Sequence, residues 1–116
     1  MQNEHLFSFQ KLDVYKVAKE LALLVHQGGI SDAELRDRAT RSSKSACLCL
    51  CEGLPNSGAG IRRKYFVEAN NSLHETVGAV DLATTLGAIA PQRAVEIQRL
   101  AIRFRRMLRG LQGSVA

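Results

Sequence analysis

Along four stretches of the chain, apolar residues recur at intervals of three and four, the spacing that gathers them on one side of an α-helix. The first stretch, about 11–27, carries Val14, Val17, Ala18, Leu21, Leu24 and Val25 in that rhythm and stops at Gly28-Gly29. The second, 31–53, opens on Ser31-Asp32-Ala33-Glu34. This spacing reads as a capping box, with the serine hydroxyl taking the amide three residues on and the glutamate reaching back. Gly53 closes it as a residue free to adopt the left-handed turn that ends many helices. Residues 54–60, LPNSGAG, combine proline, asparagine, serine and glycine and read as the one flexible loop. In the third stretch, 61–87, the positions Phe66, Ala69, Leu73, Thr76, Val80, Ala83 and Gly87 form a heptad-like seam and imply a long, nearly straight helix. The fourth, 91–111, starts on Pro91, tolerated in a first turn, and carries Ile97, Leu100, Ala101, Phe104, Met107, Leu108 and Leu111 as an apolar stripe. Four such elements joined by short connections predict an all-α chain, an antiparallel up-down-up-down four-helix bundle forming one domain over residues 1–116.

The residue types fit that expectation. Apolar residues make up 46% of the chain but aromatic ones only 5%, so the core is expected to be aliphatic and the helices closely packed. No run approaches the roughly 20 apolar residues of a membrane span, and MQNEHLFSFQ lacks the basic and apolar regions of a signal peptide. A cytoplasmic protein without membrane association is expected. Three cysteines, an odd number without an export signal, argue for reduced thiols.

Those cysteines all fall in ACLCLCEG, residues 46–53, at every second position. On a helix, residues two apart point to nearly opposite sides, so Cys47 and Cys51 share a face and Cys49 points away. Three metal ligands cannot converge from such a helix, and His5, His26 and His74 supply no partner spacing. Core packing is the simplest use of small apolar thiols. A redox role would need a thiolate made reactive by a nearby cation, for which Lys44, three residues before Cys47, is the nearest candidate in sequence.

The net charge of +5 is concentrated. Residues 93–116 hold Arg93, Arg99, Arg103, Arg105, Arg106 and Arg109 against the single acid Glu96, while the remainder carries ten basic and ten acidic residues. On the helical wheel Arg99, Arg103 and Arg106 follow one flank of the fourth helix, with Arg105 and Arg109 behind. A second basic cluster, Arg62-Arg63-Lys64, opens the third helix, where the helix dipole disfavours cations by a few tenths of a kcal/mol each. Guanidinium groups in a row can fork onto phosphate oxygens; the same row can also serve as a solvated face, or as a surface for a protein partner. No helix-turn-helix spacing, zinc finger or aromatic stacking platform is evident, so any nucleic-acid binding is expected to read phosphates rather than sequence.

The segments FQKLDVYKVAKELA, RSSKSACLCLCEG and FVEANNSLHE, residues 9–22, 41–53 and 66–75, together resemble the four-helix bundle proteins first known from intervening sequences of 23S ribosomal RNA genes, a family that includes the accessory variability determinants of diversity-generating retroelements. The likeness extends over about residues 7–83. Arg41, Ser45, Glu52 and Gly53 fit the family's first motif, and Phe66, Ala69, Ser72, Leu73 and Glu75 fit its second. The chain departs from the pattern where Cys47 and Cys49 replace a proline and an asparagine, where Ser42 replaces an alanine, and in a loop after Gly53 about four residues longer.

The resemblance implies a homopentamer with no enzymatic activity and no cofactor, binding RNA or DNA through a basic surface or serving a protein partner such as a reverse transcriptase. It carries over no catalytic residue. Among the motif residues Arg41, Gly53, Ser72, Glu52 and Glu75, the charged ones can form an interhelical ion-pair set or meet a ligand. The expected phosphate-binding residues are Arg99, Arg103, Arg105, Arg106 and Arg109 with Arg62, Arg63 and Lys64. Small residues at positions 39, 42, 43, 45 and 46 suit close approach of helices or of subunits.

Overall fold

Each of the four periodic stretches forms a helix in the computed structural model, which describes residues 6–113; residues 1–5 and 114–116 of the expected domain lie outside the described residues. A short 3-10 turn, Ser8–Lys11, leads into α1 (Asp13–His26), followed by α2 (Ala33–Gly53), α3 (Ala59–Thr85) and α4 (Pro91–Gly113). No strand occurs among the described residues. Pro91 is the first residue of α4, where its missing N–H removes no helical bond.

The helix bounds shift by one or two residues from the expectation, with α3 beginning at Ala59 inside the stretch expected as loop, and three of the end signals read from the sequence act differently, each for a physical reason. At the start of α2 the cap is Asp32, whose Oδ1 accepts the Leu35 amide at 3.0 Å. Ser31 is occupied elsewhere: its N–H donates to the Ala88 carbonyl at 2.8 Å, and its hydroxyl donates to the same oxygen at 3.4 Å. The α1–α2 connection is thereby stitched to the α3–α4 connection, and the expected Ser31–Glu34 box does not form. Gly87 is not part of the α3 seam. It is exposed and left-handed, at φ 69°, with its N–H on the Thr84 carbonyl and the Ala88 N–H on Ala83, the pairing that closes a helix with a Schellman turn.

The third difference is Gly53, which ends α2 without any left-handed turn, since Leu54 continues at φ −58° and ψ −43°. Its lack of a side chain serves packing instead. A Cβ there would lie 2.8 Å from Phe66 Cε1 and 3.0 Å from Tyr65 Cβ, so the glycine is what lets the start of α3 cross the end of α2. Gly53→Ala is expected to destabilise the chain by about 1–3 kcal/mol from overpacking, partly offset by up to about 1 kcal/mol of helix propensity. Thermal denaturation checks this. An unchanged or raised midpoint would mean that the Phe66 ring yields freely.

The core unites all four helices. Leu21 of α1, Leu50 of α2, Phe66, Leu73 and Val80 of α3, and Ile97, Phe104 and Leu108 of α4 are buried in one cluster, closed at one end by Ile30 and Ile89 from the connections. Neighbours in the chain pack on one another, and α4 returns to α1, which completes a ring of four. The most extensive pairing is α2 with α3. Small residues make it possible: Ala39, Ser42 and Ala46 on α2 and Ala69, Thr76, Ala79 and Ala83 on α3 are all buried.

Two hydroxyl pairs bridge that interface, Ser42 with Thr76 at 2.7 Å and Ser45 with Ser72 at 3.0 Å. One hydroxyl of the Ser42–Thr76 pair donates to the other, and the one that accepts turns its own proton to a carbonyl of its helix, Ala39 for Ser42 or Ser72 for Thr76, so the buried oxygens are satisfied. Position numbers rise on α2 as they fall on α3. Much of the small-residue run at 39–46 is thus spent on contacts within the chain.

Candidate nucleic-acid interface

The arginines of α4 stand where its apolar stripe puts them. Ala94, Ile97, Ala101, Phe104 and Leu108 are buried, and at roughly 100° per residue Arg99, Arg103 and Arg106 fall on the side directly opposite. All three are exposed, as are Arg105 and Arg109. The ion pairs among the described residues are Arg38–Glu75 and Arg41–Asp37, so no described carboxylate neutralises the α4 row. Arg93, at the other end of the helix, reaches the Gln27 carbonyl at 3.4 Å and holds α4 to the end of α1.

Arg105 differs from the outward three. It rims a cavity of about 370 Å³ between α3 and α4, in which Val77 and Gly78 face Ala101 and Ile102. Sequence reasoning missed this hollow. Gly78 was the available sign, a glycine in mid-helix whose missing Cβ would meet nothing within 4 Å.

The second basic cluster divides. Arg62 is held within the fold: it is half-buried, donating from Nη1 to the Leu54 carbonyl at 2.7 Å and the Asn56 carbonyl at 3.2 Å, with its guanidinium 5.1 Å from the Phe66 ring centre. These contacts outweigh the unfavourable dipole at the head of α3. They also tie down the connecting loop, which spans only residues 54–58 and is further held by the Asn56 side-chain amide on the Glu52 carbonyl at 2.6 Å. Arg63 and Lys64 are exposed, Lys64 lying 5.5 Å from the Tyr65 ring centre.

The charged motif residues do not assemble into one set. Arg41 pairs with Asp37 one turn back on its own helix at 3.3 Å, both largely exposed. Glu75 crosses to Arg38 at 3.5 Å, and Glu52 stays on the exposed face of α2. Arg38 was not picked out from the sequence because it lies outside the resembling motif. Ser72 and Gly53, in contrast, both act at the α2–α3 contact.

The cysteines are free thiols, Cys47 buried and Cys49 and Cys51 half-buried. Burial pushes the Cys47 thiol up from 9.0 to about 11, with Cys51 raising it further and Lys19 of α1, not Lys44, as the opposing cation. Burial also raises Cys49 and Cys51. All three are therefore protonated and poorly nucleophilic at neutral pH. Because the neutral Cys47 thiol is favoured by folding, the stability it contributes is intact below pH 9.0 and is lost as pH rises through about 11, where the unfolded thiol ionises first. Disulfide-exchange labelling at pH 7 is expected to be slow at all three positions until denaturant is added, and the urea midpoint to fall between pH 8.5 and pH 11. One fast thiol in the native protein would overturn the packing role.

Among the described residues no cluster of three or more His, Cys, Asp or Glu is placed to hold a metal ion, and no helix is long and apolar enough to cross a membrane. No model of a protein family matches the chain, and no curated protein matches it.

Proposed function

We propose that this chain is a non-enzymatic, self-associating four-helix bundle that binds nucleic acid through phosphates along α4. The observation that carries the reading is the row Arg99, Arg103 and Arg106 with Arg105 and Arg109 beside it, exposed and without a described acidic partner. Unneutralised guanidinium groups repeated each turn of a rigid helix match a repeating anion. Side chains of this kind engage the backbone of RNA or DNA with little sequence preference. Titration of an oligonucleotide at several salt concentrations tests the reading.

The bundle is up-down-up-down and antiparallel in this reading. Support comes from the falling α3 numbers opposite rising α2 numbers, from Ser31 on Ala88, and from Arg93 on Gln27, which bring alternate ends together. Its likeness to the 23S rRNA intervening-sequence and retroelement accessory family supports a cytoplasmic homopentamer, which would multiply the +5 charge to about +25 and present a multivalent surface. Exposed apolar side chains give self-association a physical basis. Phe7 is 72% exposed and, with Leu12, Leu54 and Pro55, lines an apolar hollow of about 420 Å³ at one end of the bundle. Light scattering at micromolar concentration is expected to give about five times 12.7 kDa; a monomer would defeat the assembly and the avidity that follows from it.

The second reading, an adaptor that uses the same basic surface for a protein partner such as a reverse transcriptase, is favoured by apolar residues beside the arginines on α4: Val95 and Ile102 are both more than 40% exposed. It predicts weak or absent oligonucleotide binding.

A further inference from the structure

We propose that the cavity between α3 and α4 is a slot for one unpaired base, so that this surface engages single-stranded nucleic acid in preference to duplex. The proposal rests on the reading that the α4 arginines hold phosphates, and it locates where on that face a strand sits.

The cavity has the chemistry of a nucleobase site. A base is a flat ring with apolar faces and a hydrogen-bonding edge. Here the aliphatic side chains of Val77, Ala101 and Ile102 line a hollow of about 370 Å³, suited to ring faces, and the half-buried Gln98 lines it with an amide that can both donate and accept. His74 adds a second polar group. Its Nδ1 lies 2.8 Å from the Asn70 carbonyl, which can only accept, so Nδ1 donates there and Nε2 is the ring nitrogen left for a base edge.

Arg105 supplies what joins the slot to a strand. Its exposed guanidinium stands at the edge of α4 that meets the cavity, one turn before Arg109 on that edge, and also lines the hollow, so a phosphate held by Arg105 has its own base beside it. A guanidinium plane can also stack on a base. Gly78 leaves the wall bare, since any Cβ there would have no neighbour within 4 Å. Duplex bases are stacked and paired, and present only their edges in the grooves, so they cannot enter; single-stranded bases can be splayed out and inserted.

An apolar side chain of a protein partner would also fit such a hollow, and the test separates the two. Fluorescence anisotropy is measured at one salt concentration with a 20-nucleotide oligo-dT and with a mixed-sequence duplex of equal length, on the wild type, Gly78→Ala and Gly78→Leu. Both variants are expected to fold, because the site is open and both residues exceed glycine in helix propensity; circular dichroism verifies it. Leucine fills the slot and alanine does not. The expected result is that Gly78→Leu weakens oligo-dT binding by about tenfold, the order of one lost base contact, with duplex affinity unchanged and Gly78→Ala close to wild type. If Gly78→Leu binds oligo-dT as tightly as the wild type, or loses both probes equally, the slot holds no base, while the salt dependence of the wild type still supports phosphate binding. If neither probe binds the wild type, the phosphate reading fails and the slot with it.

Discussion

Replacing Leu73 with alanine is expected to lower the free energy of unfolding by about 2–5 kcal/mol. Leu73 is 2% exposed at the middle of α3, the helix that shares the most extensive contact with α2 and also packs on α4. Truncation removes the transfer free energy of the buried carbons and leaves a void that neighbours fill only partly. Two features of the site set where in that range the result falls. On the α2 side the wall is stiff, because the hydroxyl pairs Ser42–Thr76 and Ser45–Ser72 fix the helix spacing and Leu50 and Phe66 are wholly buried. On the α4 side Leu73 borders the open cavity, so the new void can merge with a hollow that solvent already reaches. The second effect relieves part of the cavity cost and points to the lower half of the range. Urea denaturation is expected to show a lower midpoint with an unchanged slope. A loss under 0.5 kcal/mol would mean that α3 turns a different face to the core.

What the sequence reveals of this fold is what periodicity can carry. Apolar side chains must leave water, and at helical spacing they can do so together only on one face; all four helices were therefore legible, as was the seam from Phe66 to Ala83. Punctuation was less so, because a residue's local preference competes with contacts the chain makes later. Ser31 is as good a cap as Asp32 in isolation, yet Ala88, fifty-seven residues on, claims it. Gly53 looks like a helix stop and is a packing glycine, since nothing in its neighbours discloses that Phe66 will press on it. Arg62 looks like one of three equivalent cations until the loop carbonyls of Leu54 and Asn56 select it alone.

The candidate site divides along the same line. Exposure of the α4 arginines followed from the stripe they oppose, whereas the α3–α4 hollow depends on how two helices lean together and has no periodic signature. The cysteines were legible in part. Helical geometry put Cys47 and Cys51 on one face, but the cation nearest Cys47 in effect is Lys19, brought by α1 rather than by sequence proximity.

Changing Arg99, Arg103 and Arg106 together to glutamine is expected to reduce the dependence of nucleic-acid affinity on salt, because each phosphate neutralised by the protein releases condensed counterions and the slope of log affinity against log salt counts them. Each engaged subunit should lose up to about three from that slope, so that between 50 and 200 mM salt the affinity of the wild type falls by about 60-fold more than that of the variant. Binding at low salt should weaken for every sequence alike, since phosphates carry no sequence information. Stability should hardly move. All three side chains are exposed, none has a described ion-pair partner, and charges on an open helix face contribute at most a few tenths of a kcal/mol each. Arg62 provides the contrast that tells a phosphate contact from a fold contact. Arg62→Gln removes two carbonyl bonds and the ring contact with Phe66, so it is the substitution that should cost stability through the loop, and its effect on affinity should follow the loss of fold rather than the slope. If the triple variant keeps both affinity and slope, the α4 row is a solvated face, and the exposed apolar residues beside it on α4, Val95 and Ile102, become the stronger reason to look for a protein partner.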